Sequence, residues 1–447
     1  PNESETIYYW VISGKFIEEV KEMNAYTLER KPEHLMRTTR DFWNAWVNKY
    51  NFTFYGLTQD EISLFKRSLL TIRAHADNNG AIIASADSDM LQNGRDTYSY
   101  MWPRDGAFSA MAFDMAGDFN VSERFFNICH HVLTDDGYLM HKYRPDESLG
   151  SSWHPWMRNG KIELPIQEDE TALVLIALWH HYSPSRDLEF IEKVYNTLVK
   201  KAADFMVGYR DSKTRLPKAS YDLWEEKFGI HTFTSAAVYQ ALTVAAKFAK
   251  LLGKEKSEHI YTTAAFEIRQ SILNYLYDDE SGTFVKMINV SDNGAITTDH
   301  TLDMSSIYGI FSFDVLDVND ERLTRAIKQV EERLLVKTSV GGIVRYEGDI
   351  YFRDSSGVPG NPWIITSLWL AQYYIARAKK ESDFAPVHQW LAWVVKNSGD
   401  SGLLSEQLHP YSGAQLSATP LTWSHSEYIM TIIKYLDRLE ELGICLK

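Results

Sequence analysis

Thr58-Gln59-Asp60-Glu61 begins a helical pattern that the rest of the chain repeats. Thr58 at an N-cap position and Glu61 three residues later form a capping-box pattern, which predicts a helix over residues 58–77. Apolar residues at helical spacing predict eleven more helices, near 104–116, 121–133, 169–182, 187–209, 233–252, 254–276, 302–313, 319–334, 361–379, 383–398 and 420–441. Strand patterns are few and short, at 81–83 and 282–285. The chain is therefore predicted to be all-α.

The connections between these twelve helices alternate in length. Short connections lie near 117–120, 183–186, 253, 314–318 and 380–382, and long ones near 78–103, 134–168, 210–232, 277–301, 335–360 and 399–419. Because a short connection makes neighbouring helices antiparallel, all six long loops should emerge at one end. Six helical hairpins can then close as an (α/α)6 barrel over residues 58–447. A two-domain helical bundle and an open α-solenoid are the alternatives, but no repeat supports the solenoid.

Residues 1–57 are predicted to form an N-terminal helical linker. Helical patterns cover about 14–30 and 35–50, and Pro32 separates them. The second pattern contains Trp43 and Trp46, which we expect to lie against something larger, since exposed tryptophans are unfavourable.

Composition narrows the class of protein. Of the 447 residues, 46 are Lys or Arg and 60 are Asp or Glu, a net charge of −14 that argues against nucleic acid and anionic membrane partners. No apolar run approaches the ~20 residues of a membrane-spanning helix. The two cysteines, Cys129 and Cys445, are too distant in sequence to suggest a disulfide framework or metal motif. We therefore expect a neutral substrate, no cofactor and no metal. The absence of a signal peptide favours a cytoplasmic protein, or a secreted one if a signal was trimmed before Pro1.

The third long loop contains Ser220-Tyr221-Asp222-Leu223-Trp224-Glu225-Glu226, three carboxylates beside two aromatic rings. Carboxylates bind hydroxyl groups and transfer protons, and aromatic rings cover the apolar face of a sugar. A charged loop with a tryptophan folded onto the core is the alternative interpretation.

Other long loops carry similar residues. These are Tyr98 to Asp105, which includes Trp102 and Arg104; Trp153-His154-Pro155-Trp156; Gln167 to Glu170; Arg345-Tyr346-Glu347; Gly360-Asn361-Pro362-Trp363; Ser405-Glu406-Gln407; and Leu421-Thr422-Trp423. Asp105 could be a helix cap, and the acids at 168–170 could serve the helix dipole. The adjacent pairs His130-His131 and His180-His181 are interpreted as structural, because neighbours on a helix cannot both face one site.

Five motifs in this order resemble glycoside hydrolase family 15, the glucoamylase-like family, in its prokaryotic form. They are Tyr-x-Tyr-x-Trp-x-Arg-Asp, Tyr-Asp-Leu-Trp-Glu-Glu, Gly-Asn-Pro-Trp, Ser-Glu-Gln and Leu-Thr-Trp-Ser. The resemblance covers about residue 58 to the C-terminus. It implies an (α/α)6 barrel and exo-acting, inverting hydrolysis of α-glucosides, with Glu225 as general acid and Glu406 as general base. It also implies a terminal-glucose pocket, formed by Tyr98, Trp102, Arg104, Asp105, Trp224, Glu226, Arg345, Trp363 and Trp423.

The resemblance to the prokaryotic form raises two further expectations, one about the pocket and one about the N-terminal side of the chain. The loop before residue 167 resembles prokaryotic members, which makes Trp156 a candidate to cover the bound sugar, with Trp153 as the alternative. Prokaryotic members often carry a β-sandwich before a helical linker, so the resemblance implies such a domain as a partner absent from this chain.

The chemistry sets further expectations. A general acid must hold a proton, and Asp222 and Glu226 beside Glu225 are expected to raise its pKa. Glu406 is expected to be ionised, about 6.5–9.5 Å away, so that a water molecule fits between. Maltooligosaccharides or starch are the expected substrates. A trehalase, an α-1,6-glucosidase and a non-catalytic scaffold resembling phosphorylase kinase subunits are the alternatives; the Leu-Trp-Glu-Glu segment argues against the trehalase.

Overall fold

Helices account for most of the computed structural model, which describes residues 4–49, 52–88, 96–152, 154–158, 160–353 and 357–445. The chain divides into two compact units, Pro1–Phe52 and Thr53–Lys447.

The first unit contains two helices, α1 (Ile17–Arg30) and α2 (Pro32–Val47). Pro32 occupies the first turn of α2, where its missing N–H costs no hydrogen bond. Neither helix has a buried residue. The ring of Trp43 packs edge-on against Phe42 and Trp46, with centroids 5.2 and 5.6 Å apart. That residues 1–57 act as a linker stays a prediction.

The second unit contains the twelve predicted helical segments. They are α3 (Gln59–Ala74), α4 (Pro103–Met115), α5 (Phe119–Val132), α6 (Glu168–Ser185), α7 (Leu188–Val194) with α8 (Lys200–Gly208), α9 (Thr232–Leu251), α10 (Glu255–Tyr275), α11 (Met304–Ser312), α12 (Glu321–Gln329), α13 (Ile364–Arg377), α14 (Ala385–Lys396) and α15 (Thr422–Glu441). One π-helical turn, Tyr195–Val199, joins α7 to α8, and another, Val330–Leu334, extends α12. A 3₁₀ turn, Glu381–Phe384, precedes α14.

The helices form two concentric rings. In the inner ring, α4, α6, α9, α11, α13 and α15 each pack against the next, and α15 packs against α4. In the outer ring, α10 packs on α9 and α14 on α13, as their hairpins require. The inner helix α4 is buried on every side from Pro103 to Asp114, which is typical of a helix enclosed by others. The predicted (α/α)6 barrel is confirmed.

The capping box at the start of α3 forms as predicted. Glu61 N donates to Thr58 Oγ1 over 3.3 Å, and Thr58 N donates to Glu61 Oε2 over 2.7 Å. These two bonds satisfy backbone donors that the first turn leaves without a helical partner.

Short strands lie within the long loops. They are β1 (Met157–Arg158), β2 (Lys161–Ile162), β3 (Ser220–Tyr221), β4 (Phe228–His231), β5 (Tyr277–Asp278), β6 (Thr283–Phe284), β7 (Met287–Val290), β8 (Ile296–Asp299), β9 (Gln407–Leu408) and β10 (Gln415–Leu416). Four of them form an antiparallel sheet in the order β3-β4-β7-β8, with Tyr221 opposite Phe228 and His231 opposite Met287. The strand predicted at 282–285 is β6, whereas 81–83 contributes only a single bridge, between Ala76 and Ile82. The sheet itself was not predicted.

Every long loop leads into the N-terminus of an inner helix. The six loops therefore gather at one end of the barrel, where the inner helices begin. Among the described residues, no helix is both long and apolar enough to cross a membrane.

Candidate active site

A cavity of about 430 Å³ opens at the loop end of the barrel. Eleven of the predicted site residues line it: Tyr98, Trp102, Arg104, Asp105, Trp224, Glu225, Glu226, Arg345, Trp363, Glu406 and Trp423. Five further described residues that were not predicted also line it: Ala84, Asp96, Leu223, Tyr351 and Leu421. The side chains chosen from separate loops are thus neighbours in space.

Trp156 is the predicted residue that the structure does not place in the cavity lining. It immediately precedes β1, and 51% of it is exposed. Its alternative, Trp153, lies outside the described residues.

The inner helices carry many of these side chains on their first turns. Trp102 is the N-cap of α4, and Arg104 and Asp105 follow in its first turn. Trp363 is the N-cap of α13, and Trp423 is the second residue of α15. A rigid helix start fixes the direction in which each side chain leaves the backbone, so the cavity wall is held by the barrel.

Glu225 lies on a tight turn after β3. Its backbone adopts a left-handed conformation, with φ of 63°, which an L-residue seldom takes. Asp222 closes the turn, because its Oδ1 accepts from the backbone N–H groups of Glu226 and Lys227, at 2.8 and 2.9 Å. The Asp222 carboxylate therefore binds the backbone of the turn.

A buried ionic cluster anchors the same turn to α11. Lys286 Nζ lies 3.6 Å from Asp222 Oδ2 and 3.0 Å from Oδ2 of Asp303, the N-cap residue of α11. The indole N–H of Trp224 also donates to Asp303 Oδ2, over 3.0 Å. The turn and α11 are thus connected through side chains as well as through the sheet.

Glu226 is held by a buried arginine. Arg345 Nη2 lies 2.9 Å from Glu226 Oε1, and the Tyr346 hydroxyl donates to Oε2. Arg345 also forms a bidentate pair with Asp349, with both contacts at 2.7 Å. Its guanidinium lies 4.6 Å from the ring centroid of Trp363, close enough for a cation–π contact. Glu226 is therefore neutralised by its own partners and does not face Glu225 as a free charge.

The pKa of Glu225 differs from the expectation. Burial opposes its ionisation, yet its pKa falls to about 2, because His141, Arg104 and His154 favour the carboxylate. His141 Nε2 lies 3.3 Å from Glu225 Oε2, and Arg104 Nη2 lies 3.5 Å from Oε1. The predicted rise in pKa was wrong for a physical reason: Asp222 binds the turn, Glu226 binds Arg345, and positive or proton-donating groups are the near neighbours.

Glu406 shows the opposite behaviour. Burial raises its pKa to about 7, so the expectation of an ionised carboxylate fails below that pH in the free protein. The Tyr98 hydroxyl donates to Glu406 Oε1 over 3.3 Å and lies 3.0 Å from the Tyr351 hydroxyl. Among the described residues, Glu406 Oε2 has no hydrogen-bond partner. One carboxylate oxygen is thus held by the protein, and the other is available to a water molecule or a ligand.

The cavity also offers groups suited to sugar hydroxyls. Within the described part of the chain, the indole nitrogens of Trp102 and Trp363 are buried without a hydrogen-bond acceptor. Burial raises the pKa of Asp105 to about 6, and its carboxyl group lines the same cavity. Buried donors without partners are costly unless a ligand supplies acceptors. The wall is therefore suited to a ligand with several hydroxyl groups.

Arg104 links the cavity wall to the start of α6. Its Nη1 donates to Gln167 Oε1 over 2.5 Å and lies 3.2 Å from Asp169 and 3.6 Å from Glu170. Two of the three acids in the first turn of α6 thus have a charged partner as well as a favourable helix dipole.

One group of described side chains has the spacing of metal ligands. Ligand atoms of His141, His154 and Glu225 lie within 4.8 Å of one another. His141 was not predicted as a site residue, since no motif surrounds it and it comes from a different loop than Glu225. Of the histidine pairs interpreted as structural, His181 is buried against Asp114, with Nδ1 2.9 Å from Oδ1.

The family model and the similar proteins of known sequence all point to the same family. A model of the glycosyl hydrolases family 15 matches residues 61–433. An uncharacterized glycosyl hydrolase of Methanocaldococcus jannaschii is 30% identical over 90% of this chain and 61% of its own length. A glucoamylase of Clostridium sp. is 25% identical over 93% of this chain and 58% of its own length. A trehalase of Sulfolobus acidocaldarius, trehalase 2, is 26% identical over 80% and 60%. The chain thus spans about three fifths of these relatives.

A solved structure supports the fold. A bacterial glucoamylase complexed with acarbose superposes with a TM-score of 0.76, at 23% identity, over 95% of this chain and 62% of the solved one. At that identity the likeness establishes the shared barrel.

Proposed function

Because this chain belongs to glycosyl hydrolases family 15, we propose that it is an exo-acting, inverting α-glucosidase of the glucoamylase type. It would release β-glucose from the non-reducing ends of maltooligosaccharides or starch. In this proposal Glu225 protonates the glycosidic oxygen, and Glu406 activates the attacking water.

One observation carries the proposal. Glu225 and Glu406, from two separate loops, line a single aromatic-walled cavity in which the indole nitrogens of Trp102 and Trp363 have no hydrogen-bond acceptor among the described residues. Two carboxyl groups on one sugar-sized cavity are the minimum machinery for hydrolysing a glycosidic bond. Tyr98 supports the role of Glu406, because it holds Oε1 while Oε2 stays available to water.

Substrate binding has a clear task in this mechanism. In the free protein, the lowered pKa of Glu225 keeps it ionised, and the raised pKa of Glu406 keeps it protonated below about pH 7. The proposed mechanism needs the opposite: a protonated Glu225 and an ionised Glu406. Sugar hydroxyls that bind Arg104 would weaken its contact with Glu225, and expulsion of water would further disfavour the Glu225 anion. We therefore expect Glu225 to be protonated and Glu406 to be ionised only when substrate is bound.

Stereochemistry tests the inverting mechanism. A single displacement by water converts an α-linkage into β-glucose, without a covalent sugar–enzyme intermediate. Proton NMR during the first minutes of maltose hydrolysis should show the β-anomer accumulating first. Early accumulation of the α-anomer would overturn the mechanism and point to a carboxylate nucleophile.

A trehalase is the second candidate, favoured by the similarity to trehalase 2 of Sulfolobus acidocaldarius. Maltose, isomaltose and trehalose, offered separately with glucose release as the readout, distinguish the α-1,4, α-1,6 and trehalose specificities. We expect maltose to be hydrolysed fastest. Release of glucose from none of the three, nor from starch, would instead support a binding scaffold.

A further inference from the structure

His141, in the loop between α5 and α6, contacts Glu225 but does not itself line the cavity. Only 1% of it is exposed. Its ring packs edge-on against His154, with centroids 4.5 Å apart, and His154 stacks on Tyr221 at 3.7 Å. Trp102 also packs edge-on against the His141 ring, with centroids 6.0 Å apart. Packing therefore fixes the plane of the His141 imidazole.

A chain of contacts assigns the proton on this imidazole. Arg104 can only donate, so the Gln167 atom 2.5 Å from Nη1 is the carbonyl oxygen Oε1. The amide Nε2 of Gln167 then faces His141 Nδ1, 2.6 Å away, and donates to it. A ring whose Nδ1 accepts carries its proton on Nε2. That nitrogen lies 3.3 Å from Glu225 Oε2, an ion-pair contact that is not aligned as a hydrogen bond in the free protein.

We propose that His141 is a positioning residue for Glu225: Gln167 sets its tautomer, and its Nε2–H donates to the Glu225 carboxylate. The proposal rests on the proposed function, in which Glu225 is the general acid. Glu225 then has one N–H group close to each oxygen, His141 at 3.3 Å from Oε2 and Arg104 at 3.5 Å from Oε1, which restricts rotation of the carboxylate. The same assignment argues against a metal ion between the two histidines and Glu225, since a protonated Nε2 is not a ligand.

Several other ionisable groups interact with Glu225. Arg104 and Asp105 come from α4, and Glu170 comes from α6. Lys142 and His154 belong to the same loop as His141, and Tyr98 lies in the loop before α4. Of these groups, only His141 and Arg104 lie within 3.5 Å of the carboxylate among the ion pairs of the described residues. Removing His141 should therefore change the pKa of Glu225 directly.

The ionisation of Glu225 can be measured without activity. Protein labelled with ¹³C at glutamate side-chain carboxyl carbons gives one Glu225 signal, assigned by its loss in Glu225→Gln. Loss of a hydrogen bond to a charged group, worth about 1.5–3 kcal/mol, should raise the titration midpoint by about 1–2 pH units in His141→Leu. His141→Gln, whose amide can still donate, should restore part of the difference. His131→Leu, at an exposed histidine near the same loop, should leave the midpoint unchanged.

Kinetics supply the second readout. His141→Leu removes a group that opposes protonation of Glu225, but it also lets the carboxyl group rotate. Because positioning is the proposed role of His141, kcat for maltose should fall by about tenfold, and because His141 does not line the cavity, KM should stay within about twofold of the original. An unshifted Glu225 midpoint in His141→Leu would overturn the proposal, as would a His141→Gln variant indistinguishable from His141→Leu. If the unmodified protein releases glucose from no α-glucoside, the proposed function fails, and the NMR titration still decides the role of His141.

Discussion

Tyr98 and Glu406 meet inside the cavity, where the phenolic hydroxyl donates to carboxylate Oε1 over 3.3 Å. The two residues are 308 positions apart in sequence. In the proposed mechanism, this contact leaves Glu406 Oε2 as the oxygen that receives a proton from water.

Replacing Tyr98 with phenylalanine should therefore impair catalysis more than binding. A hydrogen bond to a charged group contributes about 1.5–3 kcal/mol, so kcat should fall by roughly 10–100-fold. Steady-state kinetics with maltose measure the change. Tyr100→Phe is the matched control, since its hydroxyl donates to Asp96 over 3.4 Å and the change leaves Glu406 untouched. An equal fall of kcat in both variants would show that the Tyr98 hydroxyl has no specific role in catalysis.

Neutralising either proposed catalytic carboxyl group should nearly abolish turnover. Glu225→Gln and Glu406→Gln should each lower kcat by about 10²–10⁴-fold, the usual contribution of a general acid or base. Circular dichroism should show that both variants keep the helical fold. Glu147→Gln, at an exposed glutamate, should retain full activity. If either variant kept turnover near that of the unmodified protein, the replaced residue would not be the proposed acid or base.

The same two variants should affect stability in opposite directions. Burial raises the folded-state pKa of Glu406 to about 7, so between about pH 4.5 and 7 the folded state binds the extra proton and stability falls as pH rises. Relative to the original protein, Glu406→Gln should gain roughly 2–5 °C in Tm from pH 4 to pH 8.

Glu225 has a pKa lowered to about 2, so it contributes stability above about pH 4.5 that is lost as pH falls toward 2. Glu225→Gln should therefore melt below the original protein at pH 7, with the gap narrowing in acid. Calorimetric Tm values across this pH range test both signs. Two parallel curves would mean that neither carboxyl group has a shifted pKa.

Lys286 should be important for folding stability. It is 2% exposed between Asp222 and Asp303, so Lys286→Met leaves two buried carboxylates without their cation. Breaking a buried ion pair in this way costs about 3–5 kcal/mol. Urea unfolding measures the loss. Lys161→Met removes an exposed ion pair with Asp292 and should cost less than about 1 kcal/mol. A similar small loss for Lys286→Met would show that the cluster does not anchor the turn.

Sequence periodicity predicted the helices, and the even alternation of connection lengths, together with the family resemblance, favoured the barrel over a bundle or a solenoid. Long apolar faces at helical spacing mark each helix, and the alternation of short and long connections sets the direction of every hairpin. The sheet β3-β4-β7-β8 was missed because strands of two to four residues are too short to show a period of two. Trp156 was assigned to the cavity from the resemblance of its loop to prokaryotic family members, which does not specify where a side chain points.

The electrostatics of Glu225 could not be predicted from its sequence neighbours. A left-handed residue in a tight turn directs adjacent side chains apart, so Asp222 and Glu226 have partners of their own. The groups that do set its pKa, His141 and Arg104, come from segments more than 80 residues away. Only the folded chain brings them together.

The common orientation of the inner helices has a consequence for how this scaffold can change. All six begin at the end of the barrel where the cavity opens, so the positive ends of their dipoles point toward that end. The barrel thus supplies a fixed dipole contribution at that end, whatever the loops contain. Exchanging one loop for a longer or shorter one would alter which sugar fits while leaving that contribution intact. The helix starts keep their part of the cavity wall while the loops supply the rest, which makes loop exchange the natural route to altered ligand specificity at the proposed site.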